Sequence, residues 1–131
     1  MGSNQQIILD FIQASNSRDI DRMMAMFDST DCVFHNIPWE PLSGTEAIRE
    51  FLQNMFDNSS EINWQIHNIA ETDTGTVLTE RMDRFRFSGN PMAVPVMGAF
   101  DLRNGKITAW RDYFDTGQVK QQLPESAKKR D

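Results

Sequence analysis

Two β-patterned segments place charge where a strand should bury oil, and few folds can accommodate that. In residues 76–87, TVLTERMDRFRF, successive side chains must point to opposite faces. One face carries Val77, Thr79, Arg81, Asp83, Phe85 and Phe87; the other carries Leu78, Glu80, Met82, Arg84 and Arg86. The second set, with three charges, makes the better solvent face, so the first turns inward and takes Arg81 and Asp83 with it. Residues 106–115, KITAWRDYFD, repeat the problem. Trp110 and Phe114 are the larger apolar pair, so the face of Thr108, Trp110, Asp112 and Phe114 points inward, opposite Ile107, Ala109, Arg111 and Tyr113. In CVFHN, residues 32–36, Phe34 shares a face with Asn36, opposite Val33 and His35.

A carboxylate cannot be buried alone: it pairs or takes up a proton. Arg81 offers a planar fork able to hold two carboxylates. One guanidinium and two ionised aspartates would leave a buried charge of −1, whereas one protonated aspartate makes the group neutral. Asp–Arg–Asp with one acid neutral and one charged is what combined acid–base chemistry requires. From alternation alone, a structural Arg–Asp staple fits as well, and Asp112 could instead pair with Arg111 or Arg103 at the surface.

The rest of the chain is expected to close a core around these strands. Its 131 residues, 39% hydrophobic and 24% charged, suit one folded domain spanning residues 1–131. Ile7, Ile8, Phe11 and Ile12 form one helical stripe and Ile20, Met23, Met24 and Phe27 a second, with NSRD as the turn between them. IPWEPLSG, with two prolines, forbids regular structure. Ser43 then opens a third helix, with Glu46 placed for a capping box and Ile48, Phe51, Leu52, Met55 and Phe56 on its buried face.

From residue 61 the period becomes two. EINWQIHNIAE sets Ile62, Trp64 and Ile66 on one side, TDTG is a turn, and Asn104-Gly105 marks a hairpin between the last two strands. Pro91 and Pro95 signal a bulge or an edge. Three helices followed by a long antiparallel meander predict an α+β fold with the sheet wrapped around the helices.

Several function classes are excluded. The net charge of −6 and the lack of a Lys/Arg stripe argue against a nucleic-acid partner. Lys128-Lys129-Arg130 reads as a solvated tail. Cys32 is the lone cysteine, so neither a disulfide nor a cysteine metal motif is expected, and His35 and His67 lie on separate strands with no ligand spacing. No apolar run is long enough to span a bilayer and the opening residues lack a leader pattern, so a cytoplasmic protein without a membrane partner is expected.

TERMDRF, GAFDLRNGKITAWRDYFD and FHNIP resemble the limonene-1,2-epoxide hydrolase family, and the resemblance runs from ILDFI to YFD. It implies a cone-shaped fold like that of ketosteroid isomerases and polyketide cyclases: a curved mixed β-sheet with helices closing a pocket, commonly dimerised through the sheet. A homodimer is therefore expected. By position it assigns Asp112 as base, Asp83 as acid, Arg81 as the bridge between them and Asn36 as holder of a water. The family's tyrosine two residues before that asparagine is here Phe34.

The implied reaction is a one-step push–pull without metal or cofactor. Asp112 takes a proton from a water that attacks an epoxide carbon, while Asp83 protonates the ring oxygen, giving a vicinal diol. Phe34, Phe85, Val94, Val96, Trp110 and Phe114, with Ile12 and Met55 from the helices, are expected to line a pocket for a small hydrophobic epoxide. Phe34 keeps two alternatives open: an isomerase or cyclase that needs no held water, and a non-catalytic small-molecule-binding module.

Overall fold

The computed structural model describes residues 3–124. Two helices, α1 (Ser3–Asn16) and α2 (Ile20–Ala25), lead into a short strand β1 (Val33–Asn36). They bury Ile8, Phe11, Ile12, Ile20, Met23 and Met24, the stripes expected from their spacing. Asp19 caps α2 by accepting from the Arg22 N–H. Phe27 falls just beyond that helix, where the chain bridges alongside Ile107 through the Asp28 N–H to the Ile107 carbonyl.

The proline-rich segment contains a turn and a two-residue strand, β2 (Leu42–Ser43), antiparallel to β1. Ser43 pairs with Val33 there and caps nothing. Helix α3 (Thr45–Asp57) starts instead from Gly44 at φ 92°, with no side-chain cap bond, so the capping box does not form. A left-handed start leaves the turn to glycine, and strand pairing has taken the serine. On α3, Ile48, Leu52 and Phe56 are buried, while Phe51 and Met55 are half-buried.

Four long strands follow: β3 (Ser59–Glu71), β4 (Val77–Phe87), β5 (Asn90–Arg103) and β6 (Lys106–Tyr113). The six strands form one curved sheet in the order β2-β1-β6-β5-β4-β3. It is mixed, because β1 runs parallel to β6 while the other neighbours are antiparallel. That parallel pairing sets Asn36 directly opposite Asp112. Asn104 and Gly105, at φ 52° and 77°, make the expected hairpin turn with Arg103 paired to Lys106.

Register slips between Ser60 and Asn63 and between Ile66 and Asn68 in β3, and once more where it misleads alternation about the core. Between Asp101 and Leu102 the β5–β6 register slips by a residue, so Ile107 turns inward and is fully buried although strict alternation put it outside. The prolines do mark an edge: β6 pairs with β5 only from Met97 onward, leaving Pro91 and Pro95 beyond its reach. A fourth helix, α4 (Thr116–Gln121), which periodicity did not reveal, covers this stretch. Asp115 caps it by accepting from the Gly117 N–H at 2.8 Å.

Trp110 anchors the core. Its indole stacks on Phe34 at 3.8 Å between centroids and lies near-parallel to Phe100, while Phe11 meets it edge-on at 5.0 Å. Removing a fully buried ring of this size typically costs about 3–5 kcal/mol. The sheet thus grips α1 through aromatic rings, and the next residue pointing the same way from β6 is Asp112.

Candidate active site

Arg81 sits on β4, 2% exposed, and all five of its N–H donors are used. Nε donates to Asp83 Oδ1 and Nη2 to Asp83 Oδ2, both at 2.9 Å. Nη2 also donates to Asp112 Oδ2 at 2.8 Å, and Nη1 donates to Asp112 Oδ1 and to Thr79 Oγ1, each at 3.2 Å. Trp110 Nε1 adds a donor to Asp112 Oδ1 at 2.9 Å. Both aspartates are buried. Trp64 lies beneath the guanidinium, 5.5 Å from its carbon, and is held in place because Asn16 clasps the Trp64 backbone through both its amide atoms.

Burial pushes the Asp83 carboxyl above its ordinary range; Arg81 pulls it back, and Asp112 pushes it up again. Burial opposes the charge on Arg81, but the attraction of Asp112 and Asp83 and their hydrogen bonds outweigh it and hold the guanidinium firmly protonated. The triad therefore tends to keep one proton on a carboxyl, as neutrality demands.

The group forms the polar floor of a cavity of about 290 Å³. Asp83, Asp112 and Asn36 line it, and its walls are almost wholly apolar. Among the expected wall residues, Phe34, Met55, Phe85, Val94, Val96, Trp110 and Phe114 all reach it. Ile12 does not: it is buried in the core cluster with Ile8 and Phe11 of the same helix. Phe34 is locked between Trp110 and Phe51 and brings no hydrogen-bonding group to the floor.

Sequence reading missed several contributors. Thr79 was placed inward but not joined to the cluster, although it takes the fifth guanidinium proton. Gly98 pairs with Thr79 on β4 and Asp112 on β6. A Cβ there would stand 2.5 Å from Arg81 Nη1, 2.7 Å from Asp112 Oδ1 and 2.9 Å from Thr79 Oγ1. The guanidinium and the Asp112 carboxylate occupy the space that a side chain here would fill, and an isolated glycine inside a strand is the signal that could have shown it. Trp39, Val119 and Leu123, which also line the cavity, carry no periodic signal, since they come from a bend, a six-residue helix and the residues just after it. Among the described residues, no group of three or more His, Cys, Asp or Glu is arranged to hold a metal ion, and no helix is long and apolar enough to cross a membrane. Lys128, Lys129 and Arg130 lie outside the described residues.

Residues 2–125 match the family model described as the limonene-1,2-epoxide hydrolase catalytic domain. The chain belongs to the limonene-1,2-epoxide hydrolase family. Over 105 residues it is 31% identical to the epoxide hydrolase EphG of Mycobacterium tuberculosis, covering 80% of this chain and 68% of that protein. The solved structure of an M. tuberculosis epoxide hydrolase of the same type superposes with a TM-score of 0.83 at 27% identity, over 94% of this chain and 90% of that one. A Shewanella denitrificans protein named as a SnoaL-like polyketide cyclase matches at TM-score 0.83 and 21% identity, over 92% and 96% of the two chains. That last likeness is one of fold.

Proposed function

We propose that this family member hydrolyses a small hydrophobic epoxide to a vicinal diol in one step. The observation that carries the reading is Arg81 clasping Asp83 and Asp112 together on the floor of an otherwise apolar cavity. Burial biases Asp83 toward its neutral form and casts it as the acid, and the other carboxyl on the same guanidinium, Asp112, as the base. Asp112 Oδ1 already accepts from Trp110 and Arg81, while Oδ2 accepts one bond, so Oδ2 has the freer lone pair for a water proton. Asn36, opposite Asp112, is the side chain positioned to orient that water. As the water oxygen attacks one ring carbon, the carbon–oxygen bond breaks and Asp83 gives its proton to the departing oxygen. Asp112 ends protonated and Asp83 ionised, and transfer of one proton from Asp112 to Asp83, directly or through solvent, restores the start. The apolar wall favours a substrate without further polar groups.

Two alternatives lose ground on the same observation. An isomerase or cyclase needs one carboxylate free to reach a carbon-bound proton, and here Arg81 ties both aspartates to a single cation. A binding module needs no shared proton. Incubating the protein with a panel of terpene, cyclic and aryl epoxides in H₂¹⁸O tests the reading: diol carrying one labelled oxygen is expected. Asp83→Asn and Asp112→Asn should each reduce turnover by roughly 10²–10⁴-fold. Near wild-type turnover in either variant would overturn the assignment.

A further inference from the structure

Helix α4 forms part of the cavity wall yet buries none of its own residues. Val119 on the helix and Leu123 just beyond its end both line the cavity and are half-buried. Between them in the chain, Gln122 makes a two-bond clasp on the backbone of β5. The Ala93 N–H donates to Gln122 Oε1 at 2.6 Å, and Gln122 Nε2 donates to the Ala93 carbonyl at 2.9 Å. Nε2 also donates to the Gln118 carbonyl at 3.0 Å, tying the clasp to the helix.

The location of the clasp limits what else can hold the helix. Along β5, alternate residues turn their backbone groups away from β4, and Ala93 is one of them. Its neighbours in that row are Pro91 and Pro95, which have no N–H to offer. Strand β6 is out of reach until Met97. In this stretch, Ala93 is therefore the point at which α4 can be sewn to the edge by a backbone donor. The cavity lining also includes Trp39, 53% exposed and edge-on to Phe114 at 5.4 Å.

We propose that Gln122 is a latch: by holding α4 against Ala93 it positions Val119 and Leu123 over the cavity and sets the passage of apolar ligands. A glutamine suits the task because one side chain supplies both a donor and an acceptor, as a neighbouring strand would. The inference rests on the cavity being where a ligand binds, and it is independent of whether the bound ligand is hydrolysed. Gln122 is a positioning residue and takes no part in the chemistry.

The test uses N-phenyl-1-naphthylamine, a neutral apolar fluorophore, in stopped-flow binding, with amide hydrogen exchange as a readout that needs no ligand. Gln122→Ala should raise both the association and dissociation rates of the probe by roughly tenfold, the scale of losing one or two hydrogen bonds. The Ala93 amide and those of residues 116–123 should lose protection while β4 and β6 keep theirs. Gln122→Glu supplies a built-in rescue. As a carboxylate it accepts from the Ala93 N–H but cannot donate to the Ala93 carbonyl, so passage is fast. Acidified until the glutamate is protonated, it regains a donor and passage slows toward wild type. Wild-type rates at each pH are the reference, which removes contributions from Asp83, Asp115, Lys120 and Arg84. Wild-type probe rates in both variants, unchanged protection of Ala93, a Gln122→Glu protein whose rates ignore pH, or no binding of the probe by the wild-type protein would each overturn the latch. Absence of diol formation would instead strike only at the hydrolase reading.

Discussion

Two arginine–aspartate clasps lie in neighbouring strands of this sheet, and their acids shift in opposite directions. On the outer face, Arg111 holds Asp101 through both Nη atoms, at 2.7 and 3.2 Å, with the two side chains 30% and 39% exposed. On the inner face, Arg81 holds Asp83 and Asp112 with side-chain exposures of 0%, 9% and 7%. The hydrogen bond from Arg111 pulls Asp101 below the usual carboxylate range, whereas burial pushes Asp83 above it despite a fork of equal quality. Arg111 and Asp112 are adjacent in the chain, so the strand's pleat alone decides which clasp each joins. Pairing with arginine lowers a carboxyl's pKa in both clasps, but desolvation and the count of charges sharing one cation decide the net direction.

The comparison breaks most sharply if the cation is removed from each clasp. Arg81→Met strands two buried acids and should cost about 3–5 kcal/mol of stability in urea unfolding, with loss of any turnover. An intermediate effect is expected from Gly98→Ala, whose methyl would press Arg81, Asp112 and Thr79 apart. A loss of about 1–3 kcal/mol is the usual scale of overpacking, and activity should fall further than stability. If this variant keeps full activity, the close packing around the guanidinium is not required.

The pH dependence sharpens the contrast because the two acids have opposite signs. Asp83 binds its proton more tightly folded than unfolded, so its stabilisation is complete at low pH and declines as pH rises from the ordinary carboxylate range through its raised folded value. Asp83→Asn should flatten that slope in thermal melts taken across pH, and a slope left intact would place the proton elsewhere. Asp101, held low, contributes stability above its unfolded range that is lost as pH falls through its depressed folded value. The smallest effect comes from the exposed cation. Arg111→Met should cost no more than about 1 kcal/mol, and added salt should shrink the difference.

The polar face of β4 was legible because period-two alternation leaves no choice: with Arg84 and Arg86 outside, Arg81 and Asp83 must be inside. The same reasoning succeeded for Asp112 and for the pairing of Phe34 with Asn36. It failed at Ile107, where a slipped register adds a residue that no local pattern announces. It failed at Ser43 as well, where two adjacent residues compete for the role of cap and a pairing with Val33 settles the contest.

Sequence alone thus determined which side chains face the interior and what that costs electrostatically, since burial of charge follows from a repeat only two residues long. Tertiary structure decided which of those side chains meet. Gly98 clears space for a cation from the strand beside it, Ile12 joins the core cluster and not the cavity wall, and α4 reaches β5 through one glutamine. Each of these is a contact between residues distant in the chain. Their distances are set by curvature and register, which arise from the whole sheet and from no single segment of it.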